Sequence, residues 1–260
     1  MEAIENLLHR RTDLSTFVVH FTRATPPDSA SGNLQSILLS KRLEARNVYG
    51  MAGELSKEFP DVAETQKVVC FTETPLEHAW MMCTPIENRE FQFEGYGLAF
   101  TKTFARRFGV NPVWYLDITP GHGVPGGRDW LTQPINRLVQ RAKESAAASE
   151  DADPDPPTLA AADILRLTPF IEQMGRTTGG RKEFWWEREW RYVGHFSFKA
   201  DDIVAAFAPE GDHQNLKACL STDPSYESKM PAFVDANWGL ERMIATLANV
   251  AAADLGPFPR

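Results

Sequence analysis

The feature that most constrains this chain is a series of short runs dense in β-branched and aromatic residues: "TFVVHFT" (16–22), "VVCFTE" (68–73), "GYGLAFT" (95–101), "VWYLDI" (113–118), "EWRYVGHFSF" (189–198) and "IVAAFA" (203–208). Runs of this length and composition predict strands. Helical patterns fall between and around them, at "NLQSILLSK" (33–41), "PLEHAWMM" (75–82), "TFARRFG" (103–109), "NRLVQRAKES" (136–145), "LAAADILRLTPFIEQM" (159–174) and "WGLERMIATLANVA" (238–251). In the second, Thr74 is expected as N-cap with Pro75 in the first turn, and the third should stop at Gly109. Strands and helices do not alternate with the rhythm of crossover units. The sequence therefore predicts an α+β fold, a mixed or antiparallel sheet with flanking short helices, rather than a doubly wound parallel sheet.

With 260 residues, 43% of them hydrophobic, the chain can bury a sizeable core, and a single domain spanning 1–260 is expected. Within it, "SAAASEDADPDPPT" (145–158) is small, acidic and proline-rich, which predicts a flexible loop. The end "GPFPR" cannot continue a helix. A formal charge of -8 argues against broad attachment to a phosphate backbone or an anionic membrane, but a local basic groove for nucleic acid is compatible with that average. No apolar window approaches the roughly 18 residues that span a bilayer, and "MEAIENLLHRRTDLSTF" lacks a cationic start followed by an apolar run. A cytoplasmic protein away from membranes is expected.

Cys70, Cys83 and Cys219 are odd in number and widely spaced, so neither a disulfide framework nor a cysteine zinc site follows. His78, His122, His195 and His213 lack the spacing of metal ligands, and no metal is expected. The glycines of "GHGVPGG" (121–127) fit neither the dinucleotide-binding spacing nor a P-loop, and read as a surface loop.

Three stretches could carry chemistry. "EFWWEREWRY" (183–192), laid on a strand, puts Phe184, Trp186, Arg188, Trp190, Tyr192, Phe196 and Phe198 on one side and Glu187, Glu189, Arg191, His195 and Ser197 on the other. The aromatic face would be buried and the ionisable face would form either the floor of a cleft or a solvated charge ladder. Two carboxylates about 7 Å apart along a strand couple electrostatically and could stabilise a developing cation. In "VVHFTR" (18–23), His20 and Thr22 share a face, and His20 is either a ligand for a ribose hydroxyl or phosphate or a core histidine bonded to a backbone carbonyl. In "CFTETP" (70–75), Thr72 and Thr74 lead into a helix N-terminus that suits an anion, although a plain N-cap explains them equally. "HAWMMC" (78–83) reads as a buried helix face, and Cys70 as a buried strand residue.

In order, "HFT" (20–22), "CFTETPL" (70–76), "YGLAFTK" (96–102) and "WEREWRY" (186–192), with "NPVWYLD" (111–117) among them, resemble the AbiGi-type family of bacterial abortive phage-resistance proteins. That family is associated with an antitoxin role, which implies a partner protein, a toxin or a phage component. The same order more distantly resembles mono-ADP-ribosyltransferases, including the DarT-like toxins. This second resemblance implies an ADP-ribosyltransferase-like fold with NAD as substrate. It would set His20 and Thr22 on the NAD ribose or phosphate and Phe71 and Thr72 on the nicotinamide side. Tyr96, Tyr49 or Phe71 would be the stacking ring, Glu189 the catalytic acid and Glu187 the first acid of an E-x-E pair. A carboxylate suits this chemistry because breaking the nicotinamide bond leaves an oxocarbenium-like ribose. The two resemblances imply a transferase that modifies a macromolecule, or a non-catalytic antitoxin or sensor.

Overall fold

The strands expected at 16–22, 68–73, 95–101, 113–118 and 203–208 form within a residue or two of those bounds, and the helices depart from expectation mainly where proline and glycine intervene. The computed structural model describes residues 11–86, 92–119, 131–149, 152–177 and 180–250, so "GHGVPGG", His122 and the terminal "GPFPR" lie outside the described residues. The chain divides into two compact units, one of residues 1–43, 71–109 and 197–260, the other of 44–70 and 110–196. Both mix helices with sheet, and the sheets combine parallel and antiparallel pairs, as an α+β fold requires.

In the first unit, strands Ala232–Val234, Ile203–Phe207, Gly97–Thr101 and Phe17–Phe21 lie side by side in that order, the first pair parallel and the others antiparallel. Thr72, at the end of strand Lys67–Thr72, pairs with Val19. Helix Ala30–Ser40 begins earlier than expected because Ser29 caps it, its Oγ accepting from the Gly32 N–H at 3.0 Å. It contributes Leu34 and Leu38 to a core with Leu98, Phe100, Phe207, Leu216 and Leu220. Phe100 anchors that core, with Phe198 edge-on at 5.1 Å and Phe104 stacked at 5.7 Å. Helix Lys102–Arg107 is capped by Thr101 and the chain turns away at Gly109, φ +90°.

The segment expected as one helix over 75–82 is instead a 3-10 turn, Leu76–His78, followed by a single turn, Trp80–Cys83. Pro75, with no side-chain hydrogen bond, occupies the cap position given to Thr74, whose hydroxyl is bonded to that of Thr72 at 2.7 Å. Trp80 and Met81 are exposed and only Ala79 and Met82 are deeply buried, so "HAWMMC" is not the buried face expected.

The second unit holds strands Asn47–Val48 and Asn111–Pro112, antiparallel to Lys67–Val68 and to Trp190–Arg191 respectively. It also has a three-stranded sheet, Trp114–Asp117, Ile171–Thr177 and Gly180–Lys182. Its apolar core joins Ala52, Leu55, Val62, Ala146, Leu159 and Leu165. The helix expected over 159–174 is broken: Pro156–Ala160 and Asp163–Leu167 are short helices, Pro169 enters a 3-10 turn, and 171 onward is strand. Part of the expected 145–158 loop is ordered structure, since helix Thr132–Ala146 runs into it, Ala147 bridges to Pro154, and Asp155 caps the helix that buries Leu159.

The strand expected over 189–198 is interrupted. Strand Glu189–Val193 ends at Gly194, φ +84°, and a two-residue strand, Phe196–Ser197, follows. Upstream, Trp185–Glu187 forms a 3-10 turn closed by Arg188 at φ +47°. A positive φ in a non-glycine residue reverses the chain direction locally, so 184–188 cannot continue the strand's alternation.

Candidate functional site

Two groups of polar residues stand out, one in each unit. In the first, Val19 opposite Thr72 fixes the register. By alternation, His20 shares a face with Phe71, Leu98 and Phe100, whereas Thr72 lies on the opposite face with Val19. The half-buried His20 ring meets the Phe71 ring edge-on at 5.9 Å. Thr22 is buried, its N–H donating to the Tyr96 carbonyl at 2.8 Å and its hydroxyl to the Ala30 carbonyl at 3.2 Å. The Tyr96 hydroxyl donates to the Asp212 carboxylate, and burial together with that bond pushes its pKa up to about 12. Glu73, between the two threonines, is buried and paired with Lys102 at 2.8 Å. The structure thus brings His20 and Phe71 together, ties Thr22 to Tyr96 through the backbone, and turns Thr72 away from them.

The second group is centred on Arg191, which is 2% exposed despite its charge. Its Nε and Nη2 donate to the two carboxylate oxygens of Glu189, both at 2.9 Å. Nη2 also donates to Glu172 at 2.7 Å, and Nη1 to the Pro169 carbonyl at 2.6 Å. Lys182 reaches the other Glu172 oxygen at 2.6 Å. The Tyr49 ring covers the guanidinium at 5.1 Å, and the backbone N–H of Glu189 donates to the Tyr115 hydroxyl at 2.8 Å. Two carboxylates thus meet two cations, and the planar guanidinium fork is matched bidentately.

The electrostatics follow from burial. Loss of water works against the Arg191 charge, but Glu189 and Glu172 outweigh it and its pKa is raised. Burial likewise opposes charge on Glu172, and Arg191 and Lys182 overturn it, leaving the carboxyl below its usual range. The Tyr115 hydroxyl is pushed upward, first by burial and also by the nearby Glu189 and Glu187 charges. Cys70 is half-buried rather than fully buried, yet desolvation of its sulfur and the Glu189 charge push its thiol well up, away from nucleophilic use.

Gly50 lets Tyr49 take its place. At φ +91°, a Cβ there would stand 2.0 Å from the Thr168 carbonyl oxygen, so only glycine permits the close crossing. Beside the crossing, Gln66 is fully buried. It donates to the Leu165 carbonyl at 2.8 Å and accepts from the Thr168 hydroxyl at 2.8 Å.

This arrangement reverses the polarity expected of 183–192. Arg191, placed on the ionisable face, is the buried centre of its strand, while Trp190 and Tyr192 of the expected core face are half-buried. Glu187 is half-buried on the 3-10 turn, outside the strand that carries Glu189. Glu172, Lys182, Tyr115 and Pro169 were not foreseen as members. A signal existed in "IEQM" (171–174), where Ile171, Glu172 and Met174 are all buried, but the helical reading of 159–174 hid it. Among the described residues no cluster of three or more potential metal ligands occurs, and no helix is long and apolar enough to cross a membrane.

No curated protein and no solved structure matches the chain. Residues 54–217 match the family described as "Putative abortive phage resistance protein AbiGi, antitoxin", a stretch that holds the whole arginine cluster except its tyrosine lid, Tyr49. With well over half of its length matched, the chain belongs to the AbiGi family of abortive phage resistance proteins.

Proposed function

We propose that this protein is an antitoxin of a phage-defence pair and neutralises its toxin by binding it, without chemistry of its own. Family membership supplies the antitoxin role. The observation that carries the non-catalytic part is the state of Glu189, both of whose oxygens accept from the buried guanidinium of Arg191. A carboxylate held in this way spends its charge on a neighbour, whereas stabilising a ribosyl cation needs that charge directed at the substrate. Expressing each gene that flanks this one, alone and together with it, tests the reading: a flanking product that arrests growth alone but not with this protein, the two migrating as one complex in gel filtration, is expected. Continued growth arrest, or rescue without a complex, would overturn it.

The second reading is ADP-ribosyl transfer from NAD to a macromolecule on an ADP-ribosyltransferase-like fold. It draws support from His20 and Phe71 sharing one face of the sheet. Nicotinamide release from NAD by the purified protein, abolished in Glu189→Gln, would establish it against the proposal above.

A further inference from the structure

The first unit carries exposed apolar side chains on two elements that meet through one turn. The helix Leu240–Leu247 buries Met243 and Ala245, while Leu240 and Ile244, one turn apart, are 46% and 52% exposed. The helix packs against the turn Leu76–His78, which leads into Trp80–Cys83, where Trp80 is 46% exposed and Met81 36%. Single exposed apolar residues need no explanation, but four on neighbouring elements, one of them tryptophan, have the composition of a binding surface.

Among the described residues, the unneutralised formal charges beside it are acidic. Glu241 is exposed beside Leu240, and Glu77 lies partly exposed on the turn below, with no ion pair to either among the described residues. Arg242, the cation of the same helix, is already neutralised: it is bonded to Glu210 and lies over the Trp238 ring at 3.9 Å. An apolar centre with an unneutralised acidic rim complements a surface of the opposite pattern.

Resting on the antitoxin reading, we propose that the surface of Trp80, Met81, Leu240 and Ile244 is where the toxin docks, and that the toxin presents to it an apolar patch rimmed by lysine or arginine. The aromatic and aliphatic side chains supply the affinity by leaving water, and Glu77 and Glu241 steer the encounter.

The test titrates the growth-arresting protein identified by the co-expression experiment above into the full chain by calorimetry and surface-bound kinetics. Trp80→Ala, and separately Leu240→Lys with Ile244→Lys, should weaken binding at least about tenfold. Glu77→Lys with Glu241→Lys should slow association and flatten its salt dependence while leaving dissociation nearly unchanged. Trp114→Ala, a still more exposed tryptophan of the second unit, should bind as the parent does. All substituted side chains are exposed or partly exposed, so circular dichroism and the urea midpoint should be unchanged. Parent-like affinity in the Trp80 and Leu240/Ile244 variants would overturn this surface and leave the antitoxin reading standing. No binding by the parent chain would overturn both. A parent chain that is dimeric alone and becomes monomeric with Leu240→Lys and Ile244→Lys would assign the surface to a second copy and overturn the proposal.

Discussion

Two five-residue strands fill their centres in opposite ways. In Phe17–Phe21, the sequence FVVHF buries Val18, Val19 and Phe21 and leaves His20 half-buried. In Glu189–Val193, the sequence EWRYV buries Arg191 alone, with half-buried neighbours on both sides. The first is stabilised by apolar area leaving water, a term without direction that accepts most shapes of similar volume. The second depends on each donor meeting its acceptor, because an ion deprived of water and left unmatched costs far more than a missing methyl group. A region of the first kind should therefore fail gradually and independently of pH, and a region of the second kind abruptly and with a pH signature.

The sharpest test is a matched pair, Arg191→Ala and Phe100→Ala. Removing Arg191 strands the Glu189 charge and leaves Glu172 only the half-exposed Lys182, and should cost about 3–5 kcal/mol at neutral pH. Phe100, fully buried among Phe104 and Phe198, should cost a similar amount, about 3–5 kcal/mol, through the cavity it leaves. Urea unfolding at falling pH separates them. The Phe100 deficit should stay constant, whereas the Arg191 deficit should shrink as Glu172, whose carboxyl Arg191 helps to hold below its usual range, takes up a proton. A constant Arg191 deficit would break the comparison. Replacing Arg191, Glu189 and Glu172 together with apolar residues should recover much of the loss, because the network is stabilising only when complete.

Next in size is Gly50→Ala, which leaves every charge in place and attacks only the crossing that carries Tyr49 to the guanidinium. A Cβ 2.0 Å from a backbone oxygen at φ +91° must displace the chain, and the cost should be about 2–3 kcal/mol. Thermal melts would check it. Parent-like stability would show that the arginine network does not need its aromatic lid.

The same contrast explains what could be read in advance. Strands such as 203–208 and 95–101 were legible because alternating or continuous apolar residues announce burial whatever the partner strand is. The helix around Leu34 and Leu38 was legible from its spacing. Arg191 was not, because a row of alternating glutamates and arginines looks the same whether it faces water or a matched cluster, and the residues deciding it, Glu172, Pro169 and Tyr49, are distant in sequence. Arg188 at φ +47° and Gly194 at φ +84° also cut the period on which the two-faced reading of 183–198 relied. "HAWMMC" failed for a different reason: its apolar residues fit a core by composition, but single turns expose half of what they carry.

Glu172→Gln addresses the acid limb directly. A carboxyl whose folded pKa is depressed contributes stability that is fully present above the unfolded value of about 4.3 and is lost as pH falls through the folded one. Arg191 and Lys182 hold Glu172 in that state, so the parent should lose stability below about pH 4. The amide keeps one acceptor without the charge, should cost about 2 kcal/mol at neutral pH, and should lose less of its remaining stability on acidification. An unchanged acid limb would move the pH dependence to other carboxylates.

The smallest effect belongs to Lys182→Met, and it is informative because it is small. Lys182 bonds the same carboxylate as Arg191, at 2.6 Å against 2.7 Å, yet its side chain is 52% exposed where that of Arg191 is 2%. If distance set the energy, the two substitutions would cost alike. If desolvation sets it, water and salt screen the lysine, and its removal should cost below about 1 kcal/mol, falling further in high salt. Glu172 would still have the guanidinium, so no charge is stranded. Urea unfolding at low and high ionic strength distinguishes the cases, and a Lys182→Met deficit approaching that of Arg191→Ala would mean that the cluster is one indivisible network rather than a buried pair with an exposed attendant.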